Sequence, residues 1–111
     1  MKLYQDDRIA LSCNIMKIFC SFQTLKIKCG SKRRTSFTEK RKKQISHAIQ
    51  VFGTEDILTV LIYLTYSKDN YATFMRENNY TELSNIFNEN KWEDKLNKAL
   101  KDIKIQKGQA V

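Results

Sequence analysis

The sequence has no proline and only three glycines among its 111 residues. Few residues are therefore available to break helices or to form the tight turns that a β-sheet protein needs. Hydrophobic residues make up 41% and charged residues 29% of the chain, a balance typical of a folded globular protein. We expect one domain over residues 1–111, mainly α, folded as a compact bundle of four to six helices.

Sequence motifs for catalysis are also missing. No Gly-rich phosphate loop, Walker sequence or nucleophile elbow occurs. The only histidine, His47, has Val51 rather than a metal ligand four residues later. Several acids stand at predicted helix starts, where the helix dipole explains them without acid–base chemistry: Glu39, Glu55, Asp56 and Glu82. We therefore expect neither an enzyme activity nor a cofactor.

Cysteine is scarce and odd in number. Cys13, Cys20 and Cys29 lack the paired close spacing of a zinc site. We interpret them as reduced side chains packed as small hydrophobic residues, which suits a cytoplasmic protein. A three-cysteine metal site completed by His47 is the alternative.

The N-terminus resembles neither a signal peptide nor a membrane span. "MKLYQDDR" has two acids where a signal peptide has a basic region. The apolar run over residues 9–22 is too short to cross a bilayer and contains Lys17. A cytoplasmic protein without a membrane partner is expected.

Residues 9–29 are consistent with two structures. As a helix, residues 9–22 carry two apolar stripes, one with Ile9, Cys13, Met16 and Cys20 and one with Leu11, Ile15, Ile18 and Phe22. Residues 25–29 instead alternate apolar and basic side chains with period two, which is typical of a strand. A helix followed by a short extended segment is our preferred prediction, and a β-hairpin is the alternative.

Helical periodicity predicts the elements after residue 35. Ser36 and Glu39 have the spacing of a capping box. Apolar residues then recur at i, i+3, i+4 and i+7 before a predicted helix end at Gly53: Ile45, Ala48, Ile49 and Phe52. Thr54 begins a helix that is apolar on most sides, which predicts the central buried helix.

The last third of the chain predicts three further helices. Residues 67–70 break the buried helix, and a short helix over residues 71–77 follows. Thr81 begins the next helix, and residues 88–90 form a turn. From Trp92 onward the apolar residues mark a terminal amphipathic helix, and residues 105–111 are expected to fray.

The net charge of +8 lies entirely in one segment, residues 26–43, which we call the basic window. It holds nine basic residues and one acid, Glu39, whereas the rest of the chain has eleven of each sign. A charge concentrated in this way favours an anionic partner. The consecutive residues 40–43 fan around a helix, with Lys40, Lys43 and His47 on one stripe and Arg41 near the core edge.

Cations at the start of a helix oppose the helix dipole, so their presence there indicates a selected role such as phosphate binding. The alternative is that the run is simply a solvated helix face. Three groups of residues are predicted to contact nucleic acid. The main set is Lys32, Arg33, Arg34, Lys40, Arg41, Lys42 and Lys43. Lys26 and Lys28 are peripheral, and His47 neighbours the main set. Phosphate contacts of this kind give affinity without sequence specificity.

Residues 33–100 resemble the conserved C-terminal domain of phage replication-organiser proteins. Two blocks of sequence carry the resemblance. In the middle block, "GTEDILTVL", the matching residues include Gly53, Glu55 and Asp56. In the end block they are Ile86-Phe87 and "KWE" at residues 91–93. Trp92 stands where the family usually has phenylalanine, Lys95 replaces an aromatic residue, and the proline before the Leu-Phe pair is absent.

The resemblance implies a role in replication initiation or helicase loading, through contacts with DNA and protein. Family members usually carry an N-terminal winged-helix domain, so this chain would be a free-standing version. We expect a basic nucleic-acid-binding protein of a mobile element, with low sequence specificity. Two alternatives share its features: a protein-interaction module, such as a phage inhibitor or adaptor on an acidic host protein, and a small helical subunit of a CRISPR effector complex. A protein partner in a replication or host-defence complex is compatible with each.

Overall fold

Six α-helices account for most of the chain in the computed structural model, which describes the backbone of residues 2–31 and 35–109 and the side chains of residues 8–31 and 35–104. The helices are, in order: α1 Lys2–Lys28, α2 Glu39–Phe52, α3 Thr54–Tyr66, α4 Asn70–Glu77, α5 Leu83–Ile86 and α6 Glu89–Gln109. No strand occurs among the described residues. The predicted bundle of four to six helices is confirmed.

The first helix, α1, is longer than predicted. It continues through residues 25–28, so the prediction of an extended segment or hairpin there was wrong. Leu25 is fully buried on the same face as Ile18 and Phe22, and this packing against the core outweighs a period-two pattern only five residues long.

Only one of the two apolar stripes of α1 enters the core. Ile15, Ile18 and Phe22 are buried, with Leu11 partly buried beside them. The other stripe is exposed and includes both Cys13 and Cys20. The interpretation of these two cysteines as core residues was therefore wrong, and Cys29 is half-buried.

The boundary between α2 and α3 lies at Gly53, as predicted. Its φ of +89° is a conformation that residues with a Cβ atom rarely adopt, and its N–H donates to the carbonyl of Ile49. The start of α2 differs from the prediction. Thr38, not Ser36, is the N-cap residue, and its hydroxyl accepts the N–H of Arg41 at 3.2 Å.

Helix α3 is the centre of the fold, as predicted from its apolar sequence. It contacts α1, α2, α4 and α6, and its buried side chains are Ile57, Val60, Leu61, Tyr63, Leu64 and Thr65. Because these helices cover most of its circumference, α3 buries nearly continuous apolar sequence rather than one stripe.

The last helix, α6, packs on α3 and begins at Glu89, inside the segment predicted as a turn. Its anchor is Trp92, which stacks on the ring of Phe52 at 4.2 Å between centroids and lies 6.2 Å from Phe87. The backbone is helical to Gln109. The fraying of residues 105–111 stays a prediction.

Candidate nucleic-acid interface

The exposed surface of α2 carries three lysines, Lys40, Lys42 and Lys43, which we call the α2 lysines; Lys40 and Lys43 share one stripe, and Lys42 lies about 100° around the helix from Lys43. All three are exposed, while Ile45 and Ala48 of the same helix are buried in the core. Among the described residues, none of the three ammonium groups forms an ion pair. Their charge is therefore available to an external anion.

His47 is exposed on the same side of α2 as Lys40 and Lys43, as the helical stripe predicts. Its Nε2 lies 3.7 Å from Oε1 of Glu89 at the start of α6, and both side chains are largely exposed. An ion pair with this much solvent contributes little to stability. His47 therefore lies at the edge of the basic face, next to Glu89, the first acidic residue of α6.

Arg41 has a local structural role. Its side chain is half-buried, and its Nη1 donates to the carbonyl oxygen of Ser36 at 2.7 Å. This bond holds the extended residues before α2 against the first turn of the helix. Arg41 is therefore already engaged within the protein, unlike the α2 lysines on either side of it.

Lys26 is not part of the exposed basic surface. It is only 7% exposed, and its Nζ lies 2.8 Å from both Oδ1 of Asn79 and Oε1 of Glu82. This ion pair joins the end of α1 to the residues before α5. The prediction that Lys26 makes a peripheral contact with nucleic acid is therefore corrected, because its ammonium is paired with the Glu82 carboxylate of this chain.

Lys28, two residues later, is exposed, and its Nζ lies 5.6 Å from the centroid of the Tyr66 ring. A lysine over an exposed ring remains accessible to solvent and to anions. Lys32, Arg33 and Arg34 lie outside the described residues, so their predicted contacts stay predictions. In sequence they join the end of α1 to the start of α2.

A shallow cleft of about 280 Å³ opens beside the N-terminal turn of α2. Lys40 and Arg41 line one side of it, and Glu82 and Ser84 line the other. Glu82 would repel a phosphate, but its carboxylate is paired with Lys26. The positive charge on the α2 side is therefore not opposed by a free carboxylate at this position.

A second concave surface, the aromatic groove, lies between α4 and α6 and encloses about 600 Å³. Phe74 and Tyr80 are exposed on it, with ring centroids 5.7 Å apart, and Tyr71 and Met75 form its floor. A protein-interaction module is expected to use exposed aromatic residues such as Tyr71, Phe74 and Tyr80, and of these Tyr71 is half-buried. Only the tertiary structure shows that Phe74 and Tyr80 project into solvent together.

Lys95 lines this groove; from the sequence it was noted only as a departure from the replication-organiser pattern. It is 2% exposed, and its Nζ donates to the carbonyl of Asn85 at 2.8 Å. Burial, and then the nearby charge of Lys91, lower the pKa of Lys95. A signal existed in the sequence, because Lys95 follows Trp92 by three residues on the apolar side of the last helix.

The described residues contain no group of three His, Cys, Asp or Glu side chains placed to hold a metal ion. The alternative metal site built from the cysteines and His47 is therefore not formed.

No single helix in the described ranges is both long and apolar enough to cross a membrane. Helices α2 and α3 meet that criterion only when taken together, and the chain bends by 112° between them.

Comparisons with known proteins give no further assignment. No family model, no curated protein and no solved structure matches this chain.

Proposed function

We propose that this protein binds the phosphate backbone of nucleic acid through the solvent face of α2. One observation supports this most strongly: the α2 lysines lie within four consecutive residues, are exposed and have no ion pair among the described residues. Three unneutralised cations on one short helix raise the local concentration of a polyanion. Lys28 is a further exposed lysine of the basic window, and Lys32, Arg33 and Arg34 are its sequence-predicted continuation.

The contacts of this face are electrostatic and not specific to a base sequence. Phe37 is the only aromatic residue of the basic window, and its ring lies 4.7 Å from that of Phe19, between centroids. No other ring in the window is available to stack on bases. Binding should therefore depend strongly on salt and weakly on sequence.

In the cell, such a protein would act in phage DNA replication, as the resemblance to replication-organiser proteins implies. A helical subunit of a CRISPR effector complex would use the same phosphate contacts. The two roles differ in the nucleic acid bound, because the first requires DNA and the second an RNA guide or its target.

The first test is fluorescence anisotropy with labelled single- and double-stranded DNA and RNA of the same length, across a salt series. Contacts from about five cations predict a slope of log affinity against log salt near −4 to −5 on duplex DNA. The order of affinities among the four oligonucleotides separates the DNA role from the RNA role. Absence of binding at low salt, by protein shown to be folded, would refute phosphate binding.

A second candidate function is supported by the aromatic groove. Phe74 and Tyr80 are large exposed rings, and Lys91 and Asp94 line the same groove, a combination that suits a protein partner with an apolar anchor and a polar rim. An inhibitor or adaptor would use this surface. Its complex would depend less on salt than phosphate binding and would weaken in Phe74→Ala and Tyr80→Ala, whereas substitution of the α2 lysines would affect it little.

A further inference from the structure

The exposed stripe of α1, which we call the outer stripe, is an apolar surface that the fold leaves open. It consists of Ile9, Cys13, Met16, Cys20 and Ile27, all of them exposed. On the helix these residues lie opposite the core stripe of Ile15, Ile18 and Phe22. Helix α1 is therefore apolar on two opposite sides but covered on only one, and a helix with apolar residues all round is normally buried on both.

The spacing within the outer stripe specifies the kind of surface that would cover it. Ile9, Cys13, Met16 and Cys20 are separated by four, three and four residues, and Ile27 follows after one further heptad. This is the a/d pattern by which one helix packs along another. The stripe runs for about 27 Å at 1.5 Å per residue, so its length also suits a helical partner rather than a point contact.

Helix α3 widens this surface on one side. Leu58 lines an open apolar groove together with Cys13, Met16 and Cys20. One and two turns later on α3, Ile62 and Tyr66 are also exposed. Leu58, Ile62 and Tyr66 recur every four residues, so they form one line along α3.

The exposed area approaches that of a standard dimer interface. Ile9, Met16, Ile27, Ile62 and Tyr66 are between 43% and 66% exposed. At about 200 Å² for a fully exposed large side chain, these five present on the order of 600 Å², against roughly 800 Å² per partner in a standard protein interface. The two cysteines and Leu58 add exposed area to this total, so two copies of the surface would form an interface at the lower end of the ordinary range.

The chemistry of the outer stripe suits a second copy of this chain better than a charged partner. Its five members carry no ionisable group other than thiols, so the complementary surface is apolar; Lys17 lines the same groove and borders the stripe. The α2 lysines lie on another helix, whereas Lys28, next to Ile27 and over the Tyr66 ring, borders this surface. We propose that the protein forms an antiparallel homodimer through the outer stripe of α1, with Leu58, Ile62 and Tyr66 at its margin.

The antiparallel register follows from the ends of the stripe. A two-fold axis at residue 18 places Ile9 of each copy opposite Ile27 of the other and Met16 opposite Cys20. Antiparallel helices also oppose their macrodipoles favourably. In this register the two Cys20 positions lie about 6 Å apart along the helix axis, and the two Cys13 positions about 15 Å apart.

The test is sedimentation velocity across a roughly hundredfold range of protein concentration in reducing buffer, without nucleic acid. We expect a concentration-dependent shift from monomer to dimer. Met16→Glu should raise the dissociation constant at least tenfold, because it places a carboxylate in the centre of the stripe. Val51→Glu is the matched control: Val51 is 47% exposed on α2, compared with 43% for Met16, and its substitution should leave the dissociation constant unchanged.

Register is tested separately with a short bismaleimide on single-thiol variants. Protein retaining only Cys20 should cross-link to a dimer, and protein retaining only Cys13 should not. Cross-linking of both with equal efficiency would overturn the antiparallel arrangement. A monomer at all concentrations, or equal effects of Met16→Glu and Val51→Glu in variants with native circular dichroism, would overturn the dimer. Neither outcome depends on phosphate binding, because no nucleic acid is present.

Discussion

The ammonium of Lys26 lies 2.8 Å from the carboxylate of Glu82, across 56 residues of sequence. The same ammonium also donates to Asn79 at 2.8 Å. Lys26 therefore links the end of α1 to the turn between α4 and α5. A lysine that appears in the sequence as part of a basic window is a tertiary contact in the folded protein.

Lys26→Gln should lower the free energy of unfolding by about 1–2 kcal/mol, because it leaves the Glu82 carboxylate without its donor and the Asn79 amide oxygen with only the 3.4 Å bond from the Thr81 hydroxyl. Glu82 is half-exposed, which keeps the loss below that of a fully buried pair. Lys28→Gln is the control and should cost about 0.5 kcal/mol, the value of an exposed cation–π contact. Urea unfolding measures both, and equal losses would show that the Lys26 pair is not structural.

Gly53→Ala should destabilise the protein by about 1–3 kcal/mol, because φ is +89° at the junction of α2 and α3. An added Cβ would meet nothing within 4 Å, so the loss would come from backbone strain alone. Gln50→Ala, at an exposed position of α2, should change stability by less than about 0.5 kcal/mol. Thermal unfolding of the two variants distinguishes these outcomes, and a neutral Gly53→Ala would contradict the junction geometry.

Tyr63→Phe should lower the free energy of unfolding above about pH 4. As the pH falls below 4, this free energy should then decrease less steeply than in the native protein. The Tyr63 hydroxyl donates to Oδ2 of Asp69, and this bond lowers the pKa of Asp69 from its ordinary value of 3.8. The folded state therefore holds the Asp69 proton less tightly than the unfolded state. The stabilisation is present above 3.8 and is lost as pH falls through the lower folded-state pKa.

At neutral pH the expected loss for Tyr63→Phe is about 1 kcal/mol, measured by urea unfolding at several pH values. Tyr66→Phe, an exposed tyrosine on the same helix, is the control and should preserve the acid dependence of the native protein. If the free energy of unfolding of Tyr63→Phe were lower than that of the native protein by the same amount at every pH, the coupling between Tyr63 and Asp69 would be contradicted.

The cysteines should differ in reactivity. Cys13 and Cys20 are exposed on α1, whereas Cys29 is half-buried, with its Sγ 3.2 Å from the hydroxyl of Thr81. With Ellman's reagent at low protein concentration, two thiols should react rapidly and one slowly. A Cys13→Ser, Cys20→Ser double variant should retain only the slow phase, and a remaining fast phase would place Cys29 at the surface.

These two exposed thiols should not form a disulfide within one chain. They are seven residues apart on a continuous helix, about 10.5 Å along its axis, beyond the Cα separation that a disulfide spans. Any disulfide involving them is therefore expected to join two chains.

The sequence predicted the middle of the fold most accurately. The apolar repeat of α2, the break at Gly53 and the apolar body of α3 are local signals, and the structure confirms them. The start of α2 was placed two residues early, because Ser36 and Thr38 are both acceptable caps. Only the hydrogen bond from Arg41 to Thr38 identifies the cap.

The N-terminal third was less predictable because its two apolar stripes are chemically alike. Which stripe of α1 faces the core depends on contacts with α2 and α3, and not on α1 itself. Lys26 shows the same limitation, since its partner Glu82 is remote in sequence. The exposure of Lys40, Lys43 and His47, by contrast, followed directly from their helical spacing relative to Ile45 and Ala48.

The most direct test of phosphate binding through α2 is to compare two variants of equal charge. One changes Lys40, Lys42 and Lys43 to Gln, and the other changes Lys91, Lys101 and Lys104, which are exposed on α6, to Gln. Each loses three positive charges, so a difference between them reports position rather than net charge. The readout is the slope of log affinity against log salt for one labelled duplex.

Phosphate binding through α2 predicts that the slope becomes shallower by about 2–3 in the α2 variant, because three contacts are lost at about 0.9 per phosphate contact on duplex DNA. The α6 variant should keep a slope near that of the native protein. Equal changes in both variants, or a larger change in the α6 variant, would contradict a phosphate-binding face on α2.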